Sequence, residues 1–287
     1  MIYNYKAKHY SRVLNNADKI STNYAEEKFM NKGRFEGRIA IVTGGGTGIG
    51  QATALQLAAE GAKVVVMGRR LEKLKETVEL AEKAGTPVVP MAGDVAVEAD
   101  CIKVIEETVK KFGTVDLLVN AAGIGGPSDR MEECTMESVR NVFDINYFGS
   151  YMMVKYSLPY MQKQNRGSIV NIASIDGMMG YDCESPYAAT KAAVISMAKT
   201  VATENGANGV RINAIAPGWI DTPMLDVAIE NYKKAGVEVT KETLRNGSMK
   251  RPGLPSEIAE GACWLLSDEA SYVNGHTLVI DGAKTLS

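Results

Sequence analysis

Short apolar runs alternate with longer amphipathic stretches along most of the chain, from about Gly37 onward. The first run, RIAIVTGG (Arg38–Gly45), is rich in β-branched residues and ends in glycine, a pattern typical of a strand buried on both faces. Later runs of the same kind are KVVVMGRR, PVVPMAGDV, VDLLVNAAG, GSIVNIAS, VRINAIAPG and HTLVIDG. These runs are therefore predicted to be the strands of one sheet.

Helical patterns fill the intervals between these strands. Residues 71–84 place Leu71, Leu74, Val78 and Ala81 on one face. Other helices are predicted at IGQATALQLAAEGA, which Gly61 closes, at 98–111, at 135–163, after Pro186, and in a polar region before the last strand. Because each right-handed crossover lays a helix across the sheet, the alternation predicts an α/β fold with helices on both faces of a parallel sheet.

The first 36 residues depart from this pattern, and we expect one domain over residues 37–287. Residues 1–36 are rich in lysine and asparagine and show no strand pattern. They include the aromatic residues Tyr3, Tyr5, Tyr10, Tyr24 and Phe29. This segment is either a frayed terminus or a partly helical arm that packs its aromatic rings on a neighbouring subunit, and we favour the arm.

Composition and charge exclude several classes of protein. The net charge is −2, which argues against nucleic acid or an anionic membrane as the main partner. No apolar run reaches membrane-spanning length, and the N-terminus has no signal-peptide core, so we expect a cytoplasmic protein. The four cysteines have no C-x-x-C spacing and predict free thiols, and with only two histidines we expect no metal site and no Ser-His-Asp triad.

A glycine-rich turn, TGGGTGIG (Thr43–Gly50), joins the first predicted strand to the first predicted helix. Gly44, Gly48 and Gly50 allow bare backbone N–H groups to approach a diphosphate, and Thr47 and Ile49 belong to the same turn. The helix N-terminus adds its positive dipole end. We therefore predict that this turn binds a dinucleotide.

The end of the second strand should meet the adenine ribose of that dinucleotide. The sequence there is MGRR, with Gly68 followed by Arg69 and Arg70 and no acidic residue. Because arginine binds a 2′-phosphate and no carboxylate repels it, this sequence predicts NADP(H) rather than NAD(H). The alternative is that both arginines are solvated at a helix start, or that one only stacks on the adenine, with NAD(H) as a possible cofactor.

Further cofactor contacts are expected where the third and fourth strands end. Asp94, followed by Val95, could accept a hydrogen bond from the adenine amine. Asn120, Ala121 and Gly123 belong to NAAG at the end of the fourth strand, where ligands bind in such sheets. Asn120 also fits a purely structural role, bracing neighbouring strands, and we favour that role.

An acid–base pair is the main candidate for chemistry. Tyr187 and Lys191 lie four residues apart on one helix face, and a lysine ammonium beside a positively charged nicotinamide lowers a tyrosine pKa. Ser174 ends a predicted strand and so lies on the cofactor side of the sheet, where its hydroxyl could hold a substrate oxygen. Asn146 is a polar residue in an apolar helical stretch; it either braces the fold or fixes a water that links Lys191 to solvent.

These motifs together resemble the short-chain dehydrogenase/reductase family of the single-domain type. TGGGTGIG, NAAG, Asn146, Ser174, YAATK and APGWIDTP match that family's motifs in order over about residues 37–284. The resemblance implies a Rossmann-like three-layer sandwich with a seven-stranded sheet, a catalytic tetrad of Asn146, Ser174, Tyr187 and Lys191, and a dimer or tetramer. It also implies cofactor contacts by Pro217, Gly218, Ile220 and Thr222. The N-terminal arm departs from the family pattern.

The resemblance implies an NAD(P)(H)-dependent interconversion of a secondary alcohol and a ketone. Segments after Ser174 and after Pro217 should determine specificity, and their bulky residues suggest a large apolar small-molecule substrate such as a hydroxysteroid. The substrate-pocket candidates are Met178, Tyr181, Trp219 and Met224. Alternatives are a 3-oxoacyl thioester, a sugar or polyol, and a dinucleotide-binding regulator that has lost catalysis.

Overall fold

The computed structural model describes residues 33–234, 240–241 and 247–286. Within them, seven strands form one parallel sheet, as the strand–helix alternation predicts. The strands are β1 (Ile39–Thr43), β2 (Lys63–Gly68), β3 (Val88–Ala92), β4 (Leu117–Asn120), β5 (Gly167–Ile172), β6 (Val210–Pro217) and β7 (Thr277–Ile280). Of the N-terminal arm predicted over residues 1–36, residues 1–32 lie outside the described residues.

Helices cover both faces of this sheet. They are α1 (Gly48–Ala59), α2 (Leu71–Lys83), α3 (Glu98–Phe112), α4 (Met136–Phe143), α5 (Gly149–Lys163), α6 (Ser185–Asn205), α7 (Pro223–Lys234) and α8 (Pro255–Leu266). The chain therefore forms the Rossmann-like α/β sandwich that the family resemblance implies.

The strand order is β3-β2-β1-β4-β5-β6-β7, so the direction of the crossovers reverses between β1 and β4. Register in this central pair sets Thr43 opposite Asn120 at the carboxyl ends of the strands. In open α/β sheets a crevice opens at this reversal, outside the carboxyl ends. The fold thus fixes where a ligand site should lie before any side chain is considered.

Two hydrophobic cores lie on opposite faces of the sheet. Alternate residues of β1 divide between them, because successive side chains of a strand point to opposite faces: Val42 enters one core and Ile41 the other. The first core is formed with α1 and α8, through Leu57 and Cys263 among others. The second is formed with α3, α5 and α6.

The long helix predicted near 135–163 is interrupted by a π-helical segment. Helices α4 and α5 are joined by five residues, Asp144–Phe148, in π-helical geometry. Thr135 caps α4 by accepting a hydrogen bond from the backbone N–H of Ser138 at 3.1 Å. The π segment carries Asn146 and was not predicted from the sequence, whose apolar pattern continues through it.

Residues 33–36 pack against the end of α1. The Phe35 ring is 1% exposed and belongs to the first core. Arg34 binds the Glu60 carboxylate, with Nη2 2.6 Å from Oε1. The segment just before β1 is therefore an integral part of the packed domain.

Candidate active site

The β1–α1 turn is closely packed and needs glycine at three positions. Gly44 has φ +67°, and a Cβ there would lie 2.8 Å from the Ala122 backbone nitrogen. A Cβ on Gly50 would lie 2.4 Å from the Gly44 carbonyl oxygen. Gly48 has φ +57°, in the left-handed region that glycine tolerates best. The turn thus brings bare backbone to the mouth of the β1/β4 crevice.

Helix α1 offers an anion site at this turn. Thr47 precedes the helix, and its side chain makes no capping hydrogen bond. It therefore does not occupy the first backbone N–H donors of the helix. Thr47, Gly48, Ile49 and Gly50 all line one cavity of about 770 Å³. A turn without side chains beside free helix N-terminal donors fits the diphosphate of a dinucleotide.

Three basic side chains lie close to the end of β2. Arg69, Arg70 and Lys73 line the same cavity. The Arg69 guanidinium lies 4.0 Å from the Asp94 carboxylate, and this carboxylate also accepts a hydrogen bond from the Ala96 N–H at 3.0 Å. Asp94 is therefore held at the cavity wall beside Arg69.

Almost all of the remaining cofactor candidates line the cavity too. These are Val95, Ala121, Gly123, Pro217, Gly218, Ile220 and Thr222. Asn120 is the exception, because it is not among the described residues that line the cavity. Its Nδ2 donates to Asn171 Oδ1 at 2.9 Å, which joins β4 to β5. Its contacts match the bracing role considered for it.

Lys191 is a buried residue of the cavity lining. Its side chain is 5% exposed, and Nζ donates to the Ile172 carbonyl oxygen at 2.8 Å, at the end of β5. Nζ also lies 5.4 Å from the centre of the Tyr187 ring. Burial lowers the pKa of Lys191 to about 8, although the nearby Asp176 carboxylate acts in the opposite direction and raises this pKa. The ammonium has further donors that can face the cavity.

Tyr187 and Ser174 meet at the same wall. Burial is the main cause that raises the pKa of Tyr187, the Asp176 charge raises it further, and a hydrogen bond from Ser174 opposes both. The described residues alone therefore keep this phenol neutral. The effect expected from Lys191 beside a bound nicotinamide stays a prediction. A neutral phenol is the form that can donate a proton.

Asn146 lies behind this wall, not on it. Its amide pairs with the backbone of Ile124, accepting from the N–H at 2.9 Å and donating to the carbonyl at 2.9 Å. It also donates to Thr190 Oγ1 at 3.3 Å. A Cβ on Gly123 would lie 3.2 Å from Asn146 Oδ1 and 3.6 Å from Lys191 Nζ, so the amide and the ammonium flank one glycine.

Two carboxylates that line the cavity near Ser174 and Tyr187 were not identified from the sequence. Asp176 lies two residues after Ser174, and its Oδ2 is 3.0 Å from Ser174 Oγ. Glu184 lies three residues before Tyr187. Burial and the Asp176 charge raise the pKa of Glu184 to about 7, and burial also raises the pKa of Asp176. Their proximity in sequence to Ser174 and Tyr187 was the signal available.

The substrate-pocket candidates divide between residues that line the cavity and residues that do not. Trp219 and Met224 line the cavity, and so does the buried Leu225. Met178 is 52% exposed, and neither it nor Tyr181 is among the described residues that line the cavity. The loop after β5 thus contributes Asp176 to the cavity, and its methionine Met178 points elsewhere.

Comparisons with known proteins agree with this geometry. A family model described as enoyl-(acyl carrier protein) reductase matches residues 44–284. The chain is 39% identical over 255 residues to the 3-oxoacyl-[acyl-carrier-protein] reductase of Thermotoga maritima, covering 88% of this chain and 100% of that protein. It is 36% identical over 259 residues to cyclohexanol dehydrogenase of an Acinetobacter species, covering 90% and 99%.

Levodione reductase of Leifsonia aquatica is 39% identical over 260 residues, covering 88% of this chain and 96% of that protein. A crystal structure of levodione reductase matches with a TM-score of 0.84 at 36% identity, covering 88% and 99% of the two chains. The chain therefore belongs to the short-chain dehydrogenase/reductase family, and it is an oxidoreductase of the kind that uses a nicotinamide dinucleotide.

Across the described ranges, no helix is long and apolar enough to cross a membrane. Within those same ranges, no group of three His, Cys, Asp or Glu side chains is placed to hold a metal ion.

Proposed function

We propose that the protein interconverts a secondary alcohol and a ketone with NAD(P)(H). The observation that carries this proposal is that Ser174, Tyr187 and Lys191 line the same cavity as the glycine turn at Gly44–Gly50. One cavity can therefore hold a dinucleotide and a small substrate together. Three of the four residues proposed as catalytic face it directly.

In this proposal a bound nicotinamide dinucleotide supplies or accepts the hydride. Tyr187 donates its phenolic proton to the carbonyl oxygen during reduction. The Ser174 hydroxyl, which donates to Asp176 Oδ2 at 3.0 Å in the free protein, turns to donate a hydrogen bond to that same oxygen. Lys191 orients the dinucleotide through its free donors and stabilises the phenolate after the proton has left. Asn146 bonds the Ile124 backbone and Thr190, next to Lys191 in α6. From this position Asn146 can hold a water molecule that returns the proton.

Replacing Tyr187 by phenylalanine tests the catalytic assignment. Tyr187→Phe keeps the ring and removes the proton, so we expect turnover to fall by about 100-fold or more. Dinucleotide affinity, measured by fluorescence titration, should change little because the glycine turn is untouched. Turnover close to that of the wild type would refute the assignment.

We propose NADP(H) as the preferred cofactor. The support is the set Arg69, Arg70 and Lys73 along the cavity, since a guanidinium can bind a 2′-phosphate in bidentate fashion. Dissociation constants for NADPH and NADH should differ in favour of NADPH, and Arg69→Ala should reduce that difference by about 10-fold. A clear preference of the wild type for NADH would overturn the proposal.

The substrate expected from the sequence is a bulky apolar molecule such as a hydroxysteroid. Trp219, Met224 and Leu225 support an apolar wall. A 3-oxoacyl thioester is a second candidate, favoured by the Thermotoga relative and by the description of the family model. A panel of steroid, thioester and ring ketones with both cofactors separates these classes. Tight dinucleotide binding without turnover of any of them would indicate a regulator instead.

We further propose a cytoplasmic homo-oligomer. All four cysteines are free thiols, which suits a reducing compartment. Light scattering coupled to size-exclusion chromatography would report a dimer or tetramer; a monomer would contradict the proposal. Deletion of residues 1–32 with no loss of assembly or thermal stability would refute the arm.

A further inference from the structure

Two carboxylates lie in the cavity beside the catalytic groups and have no part in the proposed proton transfer. Asp176 and Glu184 are both half-buried, and both line the cavity. Among the ion pairs within 4.0 Å that the described residues form, none includes either carboxylate. Removing carboxylates from water is unfavourable unless hydrogen-bond donors replace the water. Asp176 accepts one such hydrogen bond, from the Ser174 hydroxyl at 3.0 Å, and a ligand in the cavity is a natural source of further donors.

The position of Asp176 is fixed by the turn that follows β5. Ser174 Oγ accepts a hydrogen bond from the Asp176 backbone N–H at 3.2 Å and caps the short helix Ile175–Gly177. A Cβ on Gly177 would lie 2.7 Å from the Lys191 carbonyl carbon, so this turn packs directly on α6. Asp176 is thus held in place relative to both Ser174 and Lys191.

The distance from Asp176 to the reacting oxygen follows from these contacts. Asp176 Oδ2 lies 3.0 Å from Ser174 Oγ. A substrate oxygen bound to Ser174 would be about 2.8 Å from Oγ, so it would lie within about 6 Å of the carboxylate. A hydroxyl group one or two carbons from the reacting carbon can reach Asp176 from that position.

The other polar groups near the substrate indicate a hydroxyl rather than an ammonium donor. Ser128, Ser138, Asn141 and Asn231 also line the cavity, and all are neutral. The ammonium of Lys191 lies close enough to affect the Asp176 pKa, and it would repel a second cation. Burial and the Asp176 charge raise the pKa of Glu184 to about 7, so near neutral pH the pair can both accept and donate a hydrogen bond.

We propose that Asp176 and Glu184 bind a second hydroxyl group of the substrate, close to the carbon that is oxidised. The enzyme then prefers a diol, polyol or hydroxy ketone to a plain alcohol or ketone of the same size. This inference rests on the proposed function, because it concerns the substrate of the same active site. It favours the sugar or polyol alternative over the hydroxysteroid.

Ring alcohols of matched size test this inference. The rate of dinucleotide reduction would be measured with cyclohexanol, with the separated isomers of cyclohexane-1,2-diol and cyclohexane-1,3-diol, and with 2-aminocyclohexanol. We expect kcat/KM for the best diol to exceed that for cyclohexanol by about 100-fold, since a site built to bond a hydroxyl rejects an analogue that lacks it. Equal turnover of cyclohexanol and the diols, or preference for the amino alcohol, would overturn the inference.

Variants show whether the two carboxylates cause the preference. Glu184→Gln and Asp176→Asn keep the side-chain shape, and each is expected to reduce the diol-to-cyclohexanol ratio by at least about 10-fold. Asp182→Asn is the matched control, because Asp182 is exposed and lies outside the cavity lining, and it should keep the ratio. An unchanged ratio in both carboxylate variants would refute the inference while leaving the alcohol–ketone activity intact. Absence of turnover with every ring alcohol and ketone would refute the proposed function as well.

Discussion

Glu184 ionises in surroundings that oppose a negative charge. Burial is the first cause and the Asp176 carboxylate the second, and together they raise the Glu184 pKa to about 7. In the unfolded chain a glutamate has a pKa of about 4.3. The folded protein therefore binds more protons than the unfolded chain between these values, and its stability falls as pH rises through that window.

Removing this charge should stabilise the free protein above neutral pH. Glu184→Gln is expected to raise the free energy of unfolding at about pH 8 by about 1 kcal/mol, less than the shift alone implies, because water screens a half-buried side chain. The thermal midpoint should rise by about 2–4 °C at pH 8 and change little near pH 4, below the pKa of the unfolded glutamate. Thermal unfolding at the two pH values measures this, with Asp182→Asn as the control. Equal effects at both pH values would contradict the assignment.

At the scale of elements, the backbone of the β1–α1 turn packs directly against the backbone that follows β4, which leaves no space for a side chain. Gly44 has positive φ, and its α-hydrogen faces the peptide between Ala121 and Ala122. The turn and the β4 end thus form one close-packed unit at the crevice. A side chain at this position would separate them and displace the N-terminus of α1.

We therefore expect Gly44→Ala to weaken dinucleotide binding by at least about 10-fold, because the strained turn no longer holds its N–H groups in place. The dissociation constant is measured by fluorescence titration. Gly180→Ala is the control, since a Cβ there meets no atom within 4 Å and Gly180 lies outside the described cavity lining. Normal affinity in a folded Gly44→Ala protein would exclude the turn as the diphosphate site.

The π segment between α4 and α5 is a second element with a local role. Asn146 at its centre bonds the Ile124 backbone in both directions, and so ties the chain after β4 to the helical layer. π-Helical segments within α-helices occur often at functional sites. Here the turn directs a polar amide towards the wall that holds Lys191.

At the scale of the whole molecule, the residues just before β1 close one edge of the first core. The Phe35 ring is packed with residues of α1 and α8, and Arg34 bonds the end of α1. These contacts join the chain entry to the helical layer. The folded domain therefore depends on residues that precede the first strand.

Phe35→Ala should remove about 3 kcal/mol or more of stability, because deleting a buried aromatic ring leaves a cavity in the core. The thermal midpoint is expected to fall by roughly 10 °C. Tyr272→Ala removes a ring that is fully exposed, so it serves as the control and should change little. A small effect of Phe35→Ala would show that this segment does not stabilise the core.

The sequence by itself determined the sheet, the glycine turn and the candidates Ser174, Tyr187 and Lys191. Apolar runs must be buried, glycines are needed where backbone approaches backbone, and strand ends in a parallel sheet meet at one edge, so these features follow from local pattern. The π segment did not follow, because its apolar pattern fits an ordinary helix. Only the tertiary structure decided that Asp176 and Glu184, rather than Met178 and Tyr181, line the cavity. Which side chains line the cavity depends on how the turn after β5 packs on α6. This contact joins two separate segments, and the local sequence pattern of neither segment predicts it.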